Sequence, residues 1–234
     1  MATTSIRESL QRVQERIAAA AERAGRRPEK VTLIGVSKTH PAEAIREAHE
    51  AGLRHFGENR VQEWEAKHIE LADLNARWHL IGHLQNNKAA RAARVFHSVD
   101  SVDDFALAQR LDRARAELGP TEKLRVLIEV HIGKEETKSG AEIEELPELA
   151  KRIEELPKLE LAGLMCIPPF AENPKEARPH FKRLRELRDN LAKQMGRELP
   201  VLSMGMSHDF EVAIEEGATE VRVGTALFGT RVAK

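Results

Sequence analysis

The sequence predicts a (β/α)8 barrel, an α/β TIM barrel with an extra N-terminal helix in front of it. Three observations lead there. Short apolar segments of strand character alternate strictly with longer segments of helical periodicity. Several of the strand segments are near-continuous apolar runs, as expected of strands buried on both faces. The unit recurs eight times in about 200 residues. Strict alternation implies parallel strands joined by right-handed crossovers. An open doubly wound sheet is the alternative for the same alternation.

The chain begins with a helix over residues 1–25. Ile6, Leu10, Val13, Ile17, Ala20 and Ala24 recur at steps of three and four, giving one apolar stripe, and Gly25 is placed to stop it. The first strand is VTLIGVS (31–37). The helix after it, PAEAIREAHEAG, has Pro41 at its first position and a glycine at its end. RHFGE (54–58) is followed by NRVQEWEAKHIELA, and WHLIG (78–82) by NNKAARAAR. The fourth strand is VFHSV (95–99), and its helix starts at Ser101, a capping residue with Asp104 three positions on. Then come LRVLIEVHI (124–132) with IEELPELAKRIEEL, and LELAGLMCI (159–167) with ARPHFKRLRELRDNLAKQMG. PVLSMG (200–205) precedes HDFEVAIEEG, and EVRVG (220–224) is the eighth strand. The segment PPFAENPKEARP (168–179) lies between a strand and its helix, so it reads as a long βα loop. No linker is visible, and residues 1–234 are expected to form a single domain.

Composition narrows the function. Of 234 residues, 41% are hydrophobic and 32% charged, enough for a large core. The 37 basic and 38 acidic side chains nearly cancel, which gives no electrostatic case for nucleic acid or an anionic membrane. Cys166 is the one cysteine, which rules out an internal disulfide and a Cys-rich metal site and suits a reducing compartment. No apolar run approaches the roughly 20 residues that span a bilayer. The N-terminal segment lacks a hydrophobic signal core and carries Glu8, Glu15 and Glu22, unlike a transit peptide. A cytoplasmic protein is expected. Tyrosine is absent.

In a barrel of this kind the functional rim is formed by the C-terminal ends of the strands. Lys38 stands out there, because it follows the charge-free run VTLIGV. Strand parity puts it on one face with Thr32, Ile34 and Val36. If that face is the lumen, desolvation favours the neutral amine that imine formation requires. A snorkelling strand-end lysine is the plain alternative. The last two loops, SMGMSHDFEVAI and VRVGTALFG, offer backbone amides with the Ser207 and Thr225 hydroxyls, a pattern that attracts phosphate. Capping of a helix by Ser207 or Asp209 is the competing role. Gly224 to Gly229 has the glycine spacing of a P-loop, but Thr230-Arg231 replaces its Lys-Ser/Thr. No dinucleotide fingerprint follows a strand. His79 and His83 flank a strand and would be roughly 13 Å apart, too far for two ligands each about 2 Å from one zinc ion. No metal is expected. His49, His55, His68 and His180 read as surface or packing residues in or beside helices, and Cys166 as a small buried hydrophobe. Met204 and Met206 suit either a ligand wall or the core.

Taken together, GVSKTHP, HFGEN…QE, WHLIGHLQNNK, HSVDS, TKSG, GLMCI, LSMGMSHDFEVAI and VRVGTALFGTR resemble the pyridoxal-phosphate homeostasis protein family, a relative of the barrel half of alanine racemase. The resemblance runs from about Val31 to Arg231. It implies pyridoxal 5'-phosphate (PLP) bound as a reversible imine on Lys38. By the same resemblance Ser207, Gly224 and Thr225 hold the phosphate, Arg222 approaches the pyridine nitrogen, Asn59 lies on the side of the ring hydroxyl, and Met204 and Met206 flank the cofactor. Two positions depart from the family pattern: Arg60 stands where an aromatic residue is expected, and His131 where an asparagine is expected.

The resemblance implies a cytosolic PLP-binding protein without robust enzymatic turnover that buffers the cofactor or delivers it transiently to apo-PLP enzymes; with no residues left for a second domain and its dimer contacts, a monomer is expected. A cation beside the pyridine nitrogen disfavours its protonation and weakens the ring as an electron sink. Racemases of this fold take their second base from a tyrosine, which this chain lacks. A PLP-dependent amino-acid racemase with a non-tyrosine base, His208 or Cys166, is the alternative. A cofactor-free aldolase forming its imine directly on Lys38 is a third reading.

Overall fold

Eight parallel strands close on themselves in chain order: β1 (Thr32–Val36), β2 (His55–Glu58), β3 (Arg77–Leu80), β4 (Ser98–Val102), β5 (Leu124–Glu129), β6 (Leu159–Met165), β7 (Val201–Met206) and β8 (Glu220–Val223). β8 pairs back to β1, with Thr32 opposite Glu220 and Gly35 opposite Val223. The computed structural model describes residues 5–120, 122–133 and 139–229. Residues 1–4 of the expected first helix, Thr137 and Lys138 of TKSG, and the Thr230-Arg231 pair lie outside them.

The helices follow the expected alternation: α1 (Ile6–Arg23), α2 (Ala42–Glu50), α3 (Val61–Lys67), α4 (Ala89–Val95), α5 (Phe105–Ala116), α6 (Leu146–Glu154), α7 (Arg178–Met195) and α8 (Phe210–Glu215), with a further short turn of helix, α9 (Thr225–Phe228), after β8. α1 is started by a Ser5–Glu8 capping box and buries Leu10, Val13, Ile17 and Ala20. Burying a leucine or valine in this way contributes about 1.5–3 kcal/mol. The Arg16 guanidinium makes two bonds to the Glu211 carboxylate, at 3.0 and 3.1 Å, and fastens α1 to α8. Between barrel and helices, Trp64 of α3 stacks on Trp78 of β3 at 3.8 Å, and Trp78 on Phe56 of β2 at 5.1 Å. Among the described residues no helix is long and apolar enough to cross a membrane.

Three local expectations are corrected. β4 starts at Ser98, three residues after the predicted VFHSV, because Val95 ends α4 and Phe96 is buried in the main apolar core. Ser101 is a strand residue whose hydroxyl donates to the Gly82 carbonyl at 2.7 Å; α5 is capped by Asp104, which accepts from the Leu107 amide at 2.7 Å. Pro41 is the cap of α2, one residue before its first helical position.

The barrel interior also holds a polar cluster, and here His55 departs from its reading as a residue in or beside a helix. His55 opens β2, and its Nδ1 is hydrogen-bonded to His79 Nε2 at 3.0 Å. His79 Nδ1 bonds to the Asp100 carboxylate at 3.2 Å, and Ser98 donates to the other Asp100 oxygen. Arg125 donates to Glu220 at 2.6 Å, and donor atoms of His79, Asp100 and Glu220 lie within 4.8 Å of one another. The Arg125 guanidinium is thus a resident cation for the two carboxylates.

Burial, then the charges of His79, Arg125 and Arg77, push the His55 imidazole down to about 4. An unfolded histidine titrates near 6.5, so between those values the unfolded chain takes up a proton that the native chain does not. Stability from this group is complete above pH 6.5 and is lost as the pH falls toward 4. His55 is partly exposed, and with solvent screening the loss comes to about 2 kcal/mol. Urea denaturation at pH 7 and pH 4.5 should show the parent losing about that much more stability than His55→Gln. Glu58, Glu129 and Glu220 have raised pKa values, each chiefly through burial, and slope the opposite way in acid. The comparison between the two proteins isolates His55. Equal acid losses would remove it as the cause.

Candidate functional site

A cavity of about 430 Å³ opens at the C-terminal ends of the strands. Val36 at the end of β1 and Lys38 and His40 in the turn after it line the wall, while an added Cβ at Gly35 would meet Leu53 and Leu227 on the helix side. The turn thus presents Lys38 to the cavity, with its side chain partly buried. His40 stacks on Phe228 of α9 at 4.8 Å, which ties the turn after β1 to the helix that follows the neighbouring strand β8.

Arg222 of β8 is only 3% exposed and forms part of the cavity lining. Its guanidinium donates to Ser203 Oγ and to the Cys166 carbonyl, both at 2.8 Å. These two bonds, one to β7 and one to the residue after β6, fix the plane of the cation. Cys166 is fully buried and not part of the cavity wall; burial pushes its thiol up to about 12, so it stays protonated at neutral pH.

Ser207 follows β7, and its Oγ accepts from the Gly224 amide at 3.2 Å and the Ala226 amide at 3.4 Å. It thus serves the start of α9 across the rim and does not cap α8, the helix that follows it. Asp209 turns back instead and accepts from the Met206 amide at 2.6 Å. Thr225, Gly224, Ser207 and Met206 all border the cavity. This corner gathers backbone amides and two hydroxyls, a donor set suited to an anion.

Asn59 also borders the cavity. Gly82, at the end of the neighbouring strand, lets the two backbones close up: a Cβ there would lie 2.5 Å from the Asn59 carbonyl oxygen. Met204 is the expected site residue that lies elsewhere. It is fully buried in the main apolar core and absent from the cavity lining. The pairing of β7 with β8 shifts register between Ser203 and Met206, so simple alternation along β7 fails there. Of the two departures from the family pattern, Arg60 is exposed and paired with Glu63 at 3.8 Å, away from the cavity wall. His131 bonds to Glu142 at 3.1 Å and borders a small neighbouring pocket.

Glu129 was not anticipated. It ends β5, borders both the cavity and that pocket, and is 4% exposed. Its Oε1 accepts from Ser139 at 3.2 Å, and its Oε2 has no hydrogen-bond partner among the described residues. Burial raises its pKa more than Ser139 lowers it. The signal was present in the sequence: LRVLI is a mostly apolar run closed by a charged residue, the same signal that exposes Lys38.

Residues 9–232 match the family model described as alanine racemase, N-terminal domain. The pyridoxal phosphate homeostasis protein of Aquifex aeolicus is 51% identical over 224 residues, covering 96% of this chain and 97% of its own. That of Escherichia coli K12 is 45% identical over 233 residues, covering 97% of both chains. The solved structure of PipY from Synechococcus elongatus with PLP bound has a TM-score of 0.81 and 44% identity, over 93% of this chain and all of its own. An alanine racemase of Clostridium difficile, 16% identical with a TM-score of 0.73 over 98% of this chain and 57% of its own, shares the fold.

Proposed function

From the premise that this chain belongs to the pyridoxal phosphate homeostasis protein family, we propose that it holds PLP in the rim cavity with Lys38 as the attachment residue. One observation carries the reading: a single cavity brings together the Lys38 side chain, the buried Arg222 guanidinium and the amide-and-hydroxyl corner of Ser207, Gly224 and Thr225. These groups fit a phosphorylated pyridine aldehyde. The bound cofactor supplies an aldehyde that condenses reversibly with a primary amine.

Lys38 supplies that amine. Ser207, Gly224 and Thr225, which all border the cavity, would hold the phosphate and set the depth of the ring. Arg222 would set its guanidinium beside the ring nitrogen, and its bonds to Ser203 and Cys166 stop it from turning away. A cation there keeps a proton off that nitrogen, which suits retention better than carbanion chemistry. Met206 and Asn59 complete the walls. The reading describes a cytoplasmic, monomeric carrier that passes its cofactor to apo-enzymes. For the racemase alternative, Cys166 lies outside the cavity lining, whereas His208 borders it. Deuterium exchange at an amino-acid α-carbon, lost in His208→Ala, is the result that would favour that alternative.

The test is direct. The protein is mixed with PLP, reduced with borohydride, digested and mapped. One label per chain on the Lys38 peptide is expected; a label distributed over other lysines removes the assignment. Thr225 is exposed and starts a short helix. Thr225→Ala should therefore leave the melting temperature of the cofactor-free protein unchanged while weakening PLP about tenfold, the worth of one hydrogen bond to an ionised group. Equilibrium dialysis at fixed pH checks it, and unchanged affinity would exclude Thr225 from the anchor.

A further inference from the structure

We propose that Lys67 and Glu58 are positioning residues that clamp the 37–40 turn and so set the direction from which the Lys38 amine enters the cavity; this deepens, and rests on, the cofactor reading above. Lys67 ends α3, yet its ammonium reaches back to the end of β1. Nζ donates to the Ser37 carbonyl at 3.1 Å, to the His40 carbonyl at 3.4 Å and to Glu58 Oε1 at 2.7 Å. An ammonium has three donors, and all three are used. The two carbonyls belong to the first and last residues of the turn, with Lys38 and Thr39 between them.

Glu58 completes the hold from the other side. It ends β2, is 0% exposed, and its Oε1 also accepts from Ser37 Oγ at 2.7 Å. Ser37 is thus gripped twice, by its hydroxyl and by its carbonyl. The turn needs restraint, because Thr39 has φ of 66°, a left-handed conformation that a β-branched residue adopts only under constraint. The turn's own bond, from the His40 amide to the Ser37 carbonyl, is 3.1 Å long and shares its acceptor with Lys67. Neither Lys67 nor Glu58 lines the cavity. They act on a ligand there only through the turn.

A merely structural tie between β1, β2 and α3 is the competing role. A buried ion pair contributes little net stability when both partners are removed together, whereas removing one partner strands a buried charge. The decisive variant is therefore the double substitution Lys67→Met with Glu58→Gln, which keeps shape and removes both charges. Lys67→Arg, with Glu58 intact, is the conservative control. Two readouts are needed. The first uses no cofactor: hydrogen exchange at the His40 amide should quicken at least about tenfold in the double variant, while exchange in the strand cores keeps the parental rate. The second is the rate at which PLP becomes fixed on Lys38 under borohydride. It should slow about tenfold in the double variant and stay near the parental rate in Lys67→Arg. Parental exchange at His40 in the folded double variant would overturn the clamp. Faster exchange with a parental fixation rate would overturn the positioning role and leave a structural tie. If the parent itself fixes no PLP on Lys38, the cofactor reading and the positioning role both fall, and the exchange measurement judges the clamp by itself.

Discussion

Lys38→Ala should abolish borohydride fixation of PLP and remove the visible absorbance that the parent gains with the cofactor. The residue is only partly buried and lies in a cavity wall, so the cofactor-free protein should keep its stability to within about 0.5 kcal/mol. Non-covalent anchors remain in the variant: the Arg222 guanidinium and the Ser207–Thr225 corner. Affinity should thus fall without vanishing, by about a hundredfold, or ~2.7 kcal/mol. Linkage turns this into a thermal measurement. At a PLP concentration a hundred times the parent's Kd, the parent gains about 2.7 kcal/mol of stability; the variant, now near its own Kd, gains only about 0.4 kcal/mol. Lys38→Arg separates charge from reactivity. A guanidinium keeps the positive charge but stays protonated and cannot act as the amine, so it should behave as the alanine variant does in fixation. Undiminished labelling in Lys38→Ala would show that another lysine carries the cofactor.

The place of Lys38 in the cavity wall was legible because the inference is local. Period-two alternation along five residues of β1 is enough to say which side of a strand a residue faces, and the charge-free run before it says that this side is dry. The same reasoning finds β1, β2, β3, β5, β6, β7 and β8 to within a few residues. It fails where non-local contacts decide. Met204 goes to the core because β7 shifts register against β8 between Ser203 and Met206, where Gly205 lies against Phe210 and Ala213. Asp100 and Ser101 disguise β4, because their partners, His79 with Ser98 and the Gly82 carbonyl, come chiefly from another strand and its loop. His55 reads as a packing residue until its neighbour His79 is known. Ser207 has the spacing of a cap for α8, and only the closed barrel reveals that it serves α9. Glu129 is different in kind. Its signal was as local as that of Lys38 and needed only to be applied to every strand end.

The barrel itself makes the largest stability prediction, at Gly163. Between β5 and β6 the register shifts: Val126 pairs with Leu161 but Leu127 with Gly163, so Ala162 is an extra residue in β6. On the other edge Gly163 pairs with Val201 of β7. A Cβ at Gly163 would lie 1.9 Å from the Val201 carbonyl oxygen, 2.7 Å from its carbon and 2.9 Å from its Cα. All three are backbone atoms, and no rotamer change moves them. Gly163→Ala must therefore push β6 and β7 apart, at the expense of the pairs Leu164–Leu202 and Met165–Ser203. The expected loss is about 4 kcal/mol, at the upper end for overpacking. That is a large share of the 5–15 kcal/mol typical of a folded domain. The damage should also reach the site. Ser203 accepts from Arg222, and β7 leads directly to Met206 and Ser207, so whatever folded protein remains should bind PLP more weakly as well. Urea denaturation of the cofactor-free variant measures the first effect, and dialysis at a urea-free temperature where it is still folded measures the second. A variant as stable as the parent would mean that β6 and β7 are not packed backbone to backbone at this point, and the register assigned to that edge of the barrel would have to be redrawn.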